Sequence, residues 1–226
     1  MNCIFSASLM CMDFMSIRES LDILEQNCSM LHVDIMDGHF CSNLALSPGF
    51  IRAVRPNTGL GIEAHLMISR PEELLEELAS AGTDIISLHA ETINTSAFRT
   101  IRKVKELGCK VGIVLNPATP LEYVGPYLEQ VDVLTIMTVD VGYAGQPFIP
   151  EMLDKIRQAE RLRVERGYKY TIQSDGANNK RTYRALYEAG VRSFVMGSTG
   201  LFGLSTNLEE ACVMMRREFE QALRKE

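Results

Sequence analysis

Short apolar runs alternate along the whole chain with longer segments in which apolar residues recur every three or four positions. The short runs have the length of buried β-strands, and the longer segments have the periodicity of amphipathic helices. The predicted strands are Ile4–Ser8, Met30–Ile35, Gly61–Met67, Asp84–His89, Lys110–Leu115, Val131–Met137, Lys169–Ser174 and Ser193–Met196. The predicted helices are Ser16–Gln26, Pro71–Ser80, Ser96–Leu107, Leu121–Glu129, Pro150–Arg166, Lys180–Ala189 and Leu208–Leu223, with a weaker pattern over Pro48–Arg55.

Strands that alternate with helices indicate parallel pairing, because parallel neighbours need a long crossover connection. Eight such units in 226 residues predict an α/β fold, a (β/α)8 TIM barrel, that forms one domain over residues 1–226. A doubly wound open sheet is the alternative. Its usual Gly-x-Gly-x-x-Gly turn is missing after the first strand, where Ser8-Leu9-Met10-Cys11 stands instead.

Composition narrows the class of protein. A formal net charge of -6 gives no cationic surface for nucleic acid, so no nucleic-acid partner is expected. Apolar runs such as Val111–Leu115 are too short to span a bilayer, and the N-terminus lacks the pattern of a signal peptide. The six cysteines are scattered and form no Cys-x-x-Cys motif. We therefore expect a cytoplasmic protein with reduced thiols and no membrane partner.

Polar side chains stand where several predicted strands end. His32 and Asp34 share one face of the second strand, His65 and His89 lie near the ends of the third and fourth, and Asp175 follows the seventh. Each alone has an ordinary structural explanation, such as a helix cap or a hydrogen-bonded core histidine. Together they would meet at the mouth of a barrel, where active-site groups lie. Two imidazoles and two carboxylates suit one divalent cation, namely zinc, manganese, iron or cobalt.

Glycine-rich segments follow the last three strands. They are Gly142-Tyr143-Ala144-Gly145-Gln146, Gly176, and Gly197-Ser198-Thr199-Gly200. Tight turns need glycine in any case, so the composition alone is weak evidence. The loops after the last strands are, however, where barrels commonly bind phosphate through backbone amides. The spacing therefore predicts a phosphate site there.

The chain resembles the ribulose-phosphate 3-epimerase family over nearly its whole length. The most specific segments are His32-Val33-Asp34-Ile35-Met36-Asp37-Gly38-His39-Phe40 and Ala64-His65-Leu66-Met67. Others are Ser6–Met10, Val114–Pro120, Met137–Asp140, Gly145–Phe148, Ser174–Gly176 and Gly197–Ser198. Within the family, His89–Asn94 and Gln146–Lys155 are most similar to the branch that acts on D-allulose 6-phosphate.

The resemblance implies a barrel of the ribulose-phosphate-binding type with one divalent cation held by His32, Asp34, His65 and Asp175. It implies that Asp34 and Asp175 are the catalytic acid–base pair for inversion of C3 of a ketose phosphate. It also implies a homo-oligomer, either a dimer or a hexamer. The expected substrate contacts are Ser8, His65, Gly142, Tyr143, Ala144, Gly145, Asp175, Gly176, Ala177, Gly197, Ser198 and Thr199.

Three methionines near strand ends, Met36, Met67 and Met137, are expected to form a polarizable wall beside the reacting carbon. Filling of the core is an equally good explanation for them.

Some positions depart from the family pattern. The common loop Asp-Pro-Gly-Phe-Gly-Gly-Gln is here Asp140-Val141-Gly142-Tyr143-Ala144-Gly145-Gln146, and the prolines before Ser8 and Asn43 are replaced by Ala7 and Ser42. None of these changes removes an expected ligand. They bear on loop rigidity and substrate preference, so D-ribulose 5-phosphate is the alternative to D-allulose 6-phosphate.

Two further function classes stay open. A barrel decarboxylase or aldolase also acts on sugar phosphates, but a Schiff-base aldolase needs a lysine at a strand end. Lys110 and Lys169 open their strands instead, which puts them at the opposite rim. A non-catalytic phosphosugar-binding paralogue would not require both carboxylates and both imidazoles. Fold alone does not separate these classes.

Overall fold

The computed structural model describes residues 3–224. Its eight strands follow one another around a closed parallel barrel, in which β1 pairs with both β2 and β8. The strands are β1 Ile4–Ser8, β2 Met30–Met36, β3 Gly61–Met67, β4 Ile85–His89, β5 Lys110–Leu115, β6 Val133–Met137, β7 Thr171–Asp175 and β8 Ser193–Met196. The prediction of a (β/α)8 barrel is confirmed, and the open sheet is excluded.

Helices connect the strands and cover the outside of the barrel. They are α1 Ile17–Asn27, α2 Pro48–Val54, α3 Leu75–Ser80, α4 Ala90–Ile93, α5 Ala97–Glu106, α6 Met152–Arg166, α7 Tyr183–Ala189 and α8 Leu208–Leu223. A π-helix, Ser198–Phe202, follows β8. Within residues 3–224, no helix combines the length and apolar character needed to cross a membrane. All six cysteines are free.

Several predicted boundaries and one helix type need correction. Leu121–Gln130 is a 3-10 helix with Pro126 inside it, where the proline ring would clash with the carbonyl of Glu122 in an α-helix. The predicted helix Pro71–Ser80 is divided into a 3-10 turn, Pro71–Glu73, and α3. The short helix α4 was not predicted. The other predicted ends either coincide with the observed ones or differ by one to three residues, as at the starts of β4, β6, β7 and α7.

The barrel interior is polar, and the main hydrophobic core lies between the sheet and the helices. On β2, Leu31, Val33 and Ile35 belong to that core, whereas the alternating His32 and Asp34 do not. Because successive side chains of a strand point to opposite faces, His32 and Asp34 point toward the barrel interior. A hydrogen bond across the barrel shows how this space is filled: the Nε2 of Gln173 on β7 donates to both carboxylate oxygens of Glu63 on β3, at 2.9 and 3.0 Å.

Close packing between β4 and β5 gives a stability prediction. A Cβ atom added at Gly112 would lie 1.9 Å from the Oγ of Ser87, which is buried and donates to Glu63. We expect Gly112→Ala to lower the free energy of unfolding by about 1–3 kcal/mol or more, because overpacking forces the strands apart. Urea denaturation measures the change.

Gly49→Ala is the matched control for this substitution. A Cβ at that position in α2 has only the Oγ of Ser47 within reach, at 3.5 Å. Its unfolding free energy should stay within about 1 kcal/mol of the unaltered protein, since alanine also favours the helix. Equal stability of the two variants would contradict the predicted clash.

Candidate active site

Four side chains from three strands converge at the carboxyl end of the barrel. His32 and Asp34 lie on β2, His65 on β3, and Asp175 is the last residue of β7. One potential ligand atom from each lies within 4.8 Å of the others. His32, Asp34 and His65 are buried, whereas the side chain of Asp175 keeps 14% of its surface exposed. The sequence pattern placed Asp175 just after the seventh strand, whereas the strand itself includes it.

The spacing of these atoms fits a cation. The Nε2 of His32 lies 3.3 Å from the Oδ1 of Asp34 and 3.5 Å from the Oδ2 of Asp175. The Nδ1 of His65 lies 3.2 and 3.3 Å from the same two oxygens, and 3.2 Å from the Nε2 of His32. A tetrahedral cation with bonds of about 2.0–2.2 Å separates its ligand atoms by about 3.3–3.6 Å. The donor set therefore suits a divalent ion in both chemistry and separation.

The pKa shifts of the four groups also favour a cation at this position. Burial acts to raise the pKa of Asp34 and Asp175, but the facing imidazoles hold both below the usual range. Burial acts to lower the pKa of His32 and His65, yet the facing carboxylates raise both. The cluster thus favours two positive charges opposite two carboxylates. A divalent cation supplies that charge without the two protons.

A third buried carboxylate, Glu63, orients His32. Its Oε2 lies 3.0 Å from the Nδ1 of His32, so the Nδ1–H donates to Glu63, and a neutral His32 would then present its Nε2 lone pair to a cation in the cluster. Ser87 and Gln173 donate to the same carboxylate. The sequence analysis did not single out Glu63. Its position two residues before His65 in an apolar strand was the available signal, because equal parity puts both on the same face.

An open cleft lies above the cluster. Of the residues predicted to act in catalysis, to contact substrate or to form its wall, those that line the cleft are Ser8, Asp34, Met36, Met67, Met137, Gly142, Tyr143, Ala144, Gly145, Asp175, Gly176, Gly197, Ser198 and Thr199. Met10, Cys11, Val139, Asp140 and Val195, which were not predicted, also line it. Ala177 is buried outside the lining, and His65 lies fully buried beneath it.

Ser8 contacts a catalytic candidate as well as the cleft. Its hydroxyl donates to the Oδ2 of Asp34 at 2.8 Å, while the other oxygen of Asp34 faces the two histidines. Both oxygens of that carboxylate are therefore oriented by the protein.

Steric contacts explain why position 176 is a glycine. Its φ is +130°, and a Cβ there would lie 2.6 Å from the Oγ1 of Thr138. The bare backbone consequently faces the cleft at the end of β7.

Two loops meet over the mouth of the cleft. The Nδ2 of Asn43, after β2, donates to the carbonyl oxygen of Gly142, after β6, at 2.6 Å. The hydroxyl of Tyr143 donates to the carbonyl oxygen of Ser42 at 2.5 Å. Within the second loop, Gln146 donates to the carbonyl oxygens of Asp140 and Tyr143. These contacts hold the glycine-rich loop in place beside the cleft.

Tyr143→Phe tests the hydroxyl contact between these loops. Loss of one hydrogen bond costs about 0.5–1.5 kcal/mol, so we expect amide hydrogen exchange at residues 140–146 to accelerate by up to about tenfold. Tyr123→Phe, at a partly exposed tyrosine in the 3-10 helix, is the control. Unchanged exchange in the loop would show that the other contacts alone hold it.

Comparison of the sequence with known proteins gives a consistent group of relatives. The family model described as the ribulose-phosphate 3 epimerase family matches residues 4–202. The ribulose-phosphate 3-epimerase of Bacillus subtilis is 39% identical over 193 residues, which cover 84% of this chain and 88% of the relative. That of Synechocystis is 38% identical over 199 residues, with 87% and 86% covered.

Comparison of the structure finds the same fold in more distant enzymes. KGPDC from Streptococcus mutans superposes with a TM-score of 0.76 at 11% identity, covering 99% of this chain and 100% of the other. The 3-hexulose-6-phosphate synthase of Salmonella typhimurium gives a TM-score of 0.71 at 16% identity, with 97% and 99% covered. These likenesses concern the fold, whereas the sequence match is specific. The chain belongs to the ribulose-phosphate 3-epimerase family of isomerases.

Proposed function

We propose that this protein is a cation-dependent epimerase that inverts C3 of a ketose phosphate, with Asp34 and Asp175 as the proton-transfer pair. One observation supports this proposal more strongly than the others. Two carboxylates from β2 and β7 meet the same pair of imidazoles at the base of a cleft, and both line that cleft. Family membership supports the reaction class.

His32, Asp34, His65 and Asp175 would hold the cation. When bound, it would act as a Lewis acid that favours negative charge on the C2 and C3 oxygens of the sugar. Zinc, manganese, iron and cobalt all suit this donor set.

Proton transfer needs two groups because the hydrogen leaves one face of C3 and returns to the other. One aspartate starts as a carboxylate and accepts the C3 proton, and the C–H electron pair forms the C2–C3 double bond of an enediolate. The other aspartate must carry a proton when the substrate is bound, although the imidazoles favour its ionised form in the cluster itself, and it delivers that proton to the opposite face. The two groups exchange roles for the reverse reaction, and no electron leaves the substrate.

The phosphate end of the substrate would bind on the side of the cleft that is formed by the loops after β6, β7 and β8. Backbone amides around Gly145, Gly176, Gly197 and Ser198 are the proposed donors, since these residues line the cleft after β6, β7 and β8. A phosphorylated ketose should therefore bind far better than its unphosphorylated form. Equal dissociation constants for the two, measured by calorimetry, would contradict this site.

For the substrate we propose D-allulose 6-phosphate, which would be converted to D-fructose 6-phosphate. The support is the local resemblance of His89–Asn94 and Gln146–Lys155 to that branch of the family. D-ribulose 5-phosphate is the second candidate, favoured by the names of the relatives that are 37–39% identical. A cytoplasmic location and a homo-oligomer, dimer or hexamer, stay predictions.

Initial rates on both sugars, after reconstitution with each candidate metal, decide between the substrates. We expect kcat/KM for D-allulose 6-phosphate to exceed that for D-ribulose 5-phosphate by about tenfold, equivalent to about 1.4 kcal/mol of transition-state discrimination. A similar preference for the pentose would assign the second candidate. Absence of epimerisation of either sugar by the metal-loaded protein would contradict the proposal as a whole.

A further inference from the structure

His65 is joined to a second buried histidine on the side away from the proposed cation site. Its Nε2 lies 2.9 Å from the Nε2 of His89, and the two rings are nearly parallel, with an interplanar angle of 23°. Both residues are fully buried. Two imidazole nitrogens at this distance need one hydrogen between them, so one nitrogen donates and the other accepts.

The position of His65 sets the direction of that hydrogen bond. Its Nδ1 faces Asp34 and Asp175 and must present a lone pair to bind a cation. A neutral imidazole then carries its proton on Nε2 and donates it to His89. The Nε2 of His89 is therefore the acceptor, and its own proton lies on Nδ1.

That Nδ1 faces a carboxylate. The Oε2 of Glu91 lies 3.4 Å from it, within ion-pair distance but outside hydrogen-bond geometry, and neither atom has a hydrogen-bond partner within residues 3–224. Both atoms are buried, so each is the polar group available to the other. A carboxylate accepts hydrogen bonds and donates none when ionised, which favours the proton of His89 on Nδ1.

Glu91 is itself held in place. Its Oε1 accepts from the backbone N–H of Asn116 at 3.0 Å and from the hydroxyl of Thr119. The Nζ of Lys155 on α6 donates to the carbonyl oxygens of Asn116, Pro117 and Thr119, at 3.0, 2.7 and 2.7 Å. The loop after β5 is thus fixed against α6, and it fixes the carboxylate in turn.

We propose that Glu91 and His89 form a positioning relay that holds the proton of His65 on Nε2 and directs its Nδ1 lone pair toward the cation. The inference rests on the proposed cation site. His32 reaches its carboxylate, Glu63, directly, whereas His65 reaches Glu91 through a second imidazole. Partners of this kind raise the basicity of a ligand histidine and fix its tautomer.

Zinc affinity of the full-length protein tests the relay without an activity assay. Competition with a chromophoric chelator should show zinc binding about 10–100-fold weaker in Glu91→Gln than in the unaltered protein. The amide can still accept from Asn116 and Thr119, but it turns a donor toward His89. Glu160→Gln is the matched control, because it removes the same charge from a side chain of similar exposure, 29% against 23%, on the outer helix α6.

Two substitutions of His89 separate hydrogen bonding from packing. His89→Gln places an acceptor oxygen near the former Nε2 position, whereas His89→Leu offers no acceptor. We expect zinc affinity to fall further in His89→Leu. In the zinc-loaded unaltered protein, long-range ¹H–¹⁵N spectra should show the proton of His65 on Nε2 and that of His89 on Nδ1, and Glu91→Gln should shift the second proton toward Nε2.

The outcomes are distinct. An affinity loss in Glu91→Gln smaller than about threefold, where 10–100-fold is usual for such partners, or a loss matched by Glu160→Gln, overturns the relay. So does a proton on Nε2 of His89 in the unaltered zinc-loaded protein. If the unaltered protein binds no zinc, manganese, iron or cobalt, the proposed cation site fails and the relay fails with it.

Discussion

Replacement of Asp34 or Asp175 by asparagine will lower kcat for epimerisation by at least about 10³-fold, because an amide neither accepts nor delivers the C3 proton. General acid–base groups contribute roughly 10²–10⁴-fold, and both residues are also proposed cation ligands. In deuterated water the unaltered enzyme should introduce deuterium at C3 of the product. Mass spectrometry and NMR of the sugar measure this label alongside the rate.

Loss of the cation must be separated from loss of the base. Each variant is therefore assayed at a cation concentration that restores measured metal content, and Asp154→Asn serves as the charge-matched control on the exposed surface of α6. A metal-loaded variant that retains one base may still exchange deuterium into one epimer without inverting C3. Near-normal epimerisation by either metal-loaded variant, or turnover in deuterated water without label at C3, would refute the assigned pair.

Removal of the cation by a chelator will abolish turnover and lower the thermal midpoint by roughly 8–16 °C. A ligand present at about 1,000 times its dissociation constant stabilises the folded state by about 4 kcal/mol, and about 1 kcal/mol shifts Tm by roughly 2–4 °C in a chain of this size. The physical source is the pair of carboxylates, Asp34 and Asp175, which lose their shared positive partner. Differential scanning calorimetry measures the midpoint.

His65→Gln is the control for direct effects of the chelator. With one ligand weakened, its thermal midpoint should respond much less to chelation, and excess cation should restore only the unaltered protein. An unchanged midpoint in a sample shown to have lost its metal would argue that the site adds no stability.

The positions of side chains could be predicted from the sequence where they depend on strand parity and on strand ends. The barrel follows from alternating elements, and His32, Asp34, His65 and Asp175 converge because carboxyl ends of parallel strands share one rim. Local pattern does not give contacts that depend on the path of a loop through space. The hydrogen bond from Tyr143 to Ser42 joins residues about a hundred positions apart, and no periodicity encodes it.

Glu63 and the 3-10 helix show two other limits. In the sequence Glu63 is an isolated charge. Its role becomes evident only in the structure, where it contacts His32 and accepts from Gln173 on the opposite strand β7. Leu121–Gln130 has a helical spacing of apolar residues, but Gly125-Pro126 changes the hydrogen-bond pattern and not the face that is buried.

The polar bond across the barrel between Glu63 and Gln173 has a consequence for how the protein folds. The Glu63 carboxylate has all of its hydrogen bonds only when β2, β4 and β7 have assembled around β3, because its partners are His32, Ser87 and Gln173. A partly assembled barrel that lacked β7 would leave this carboxylate without Gln173. Because a buried carboxylate is costly unless it is fully hydrogen-bonded, we expect Glu63 to leave water only as β7 closes the barrel, so that burial of the charge and closure occur in one cooperative step.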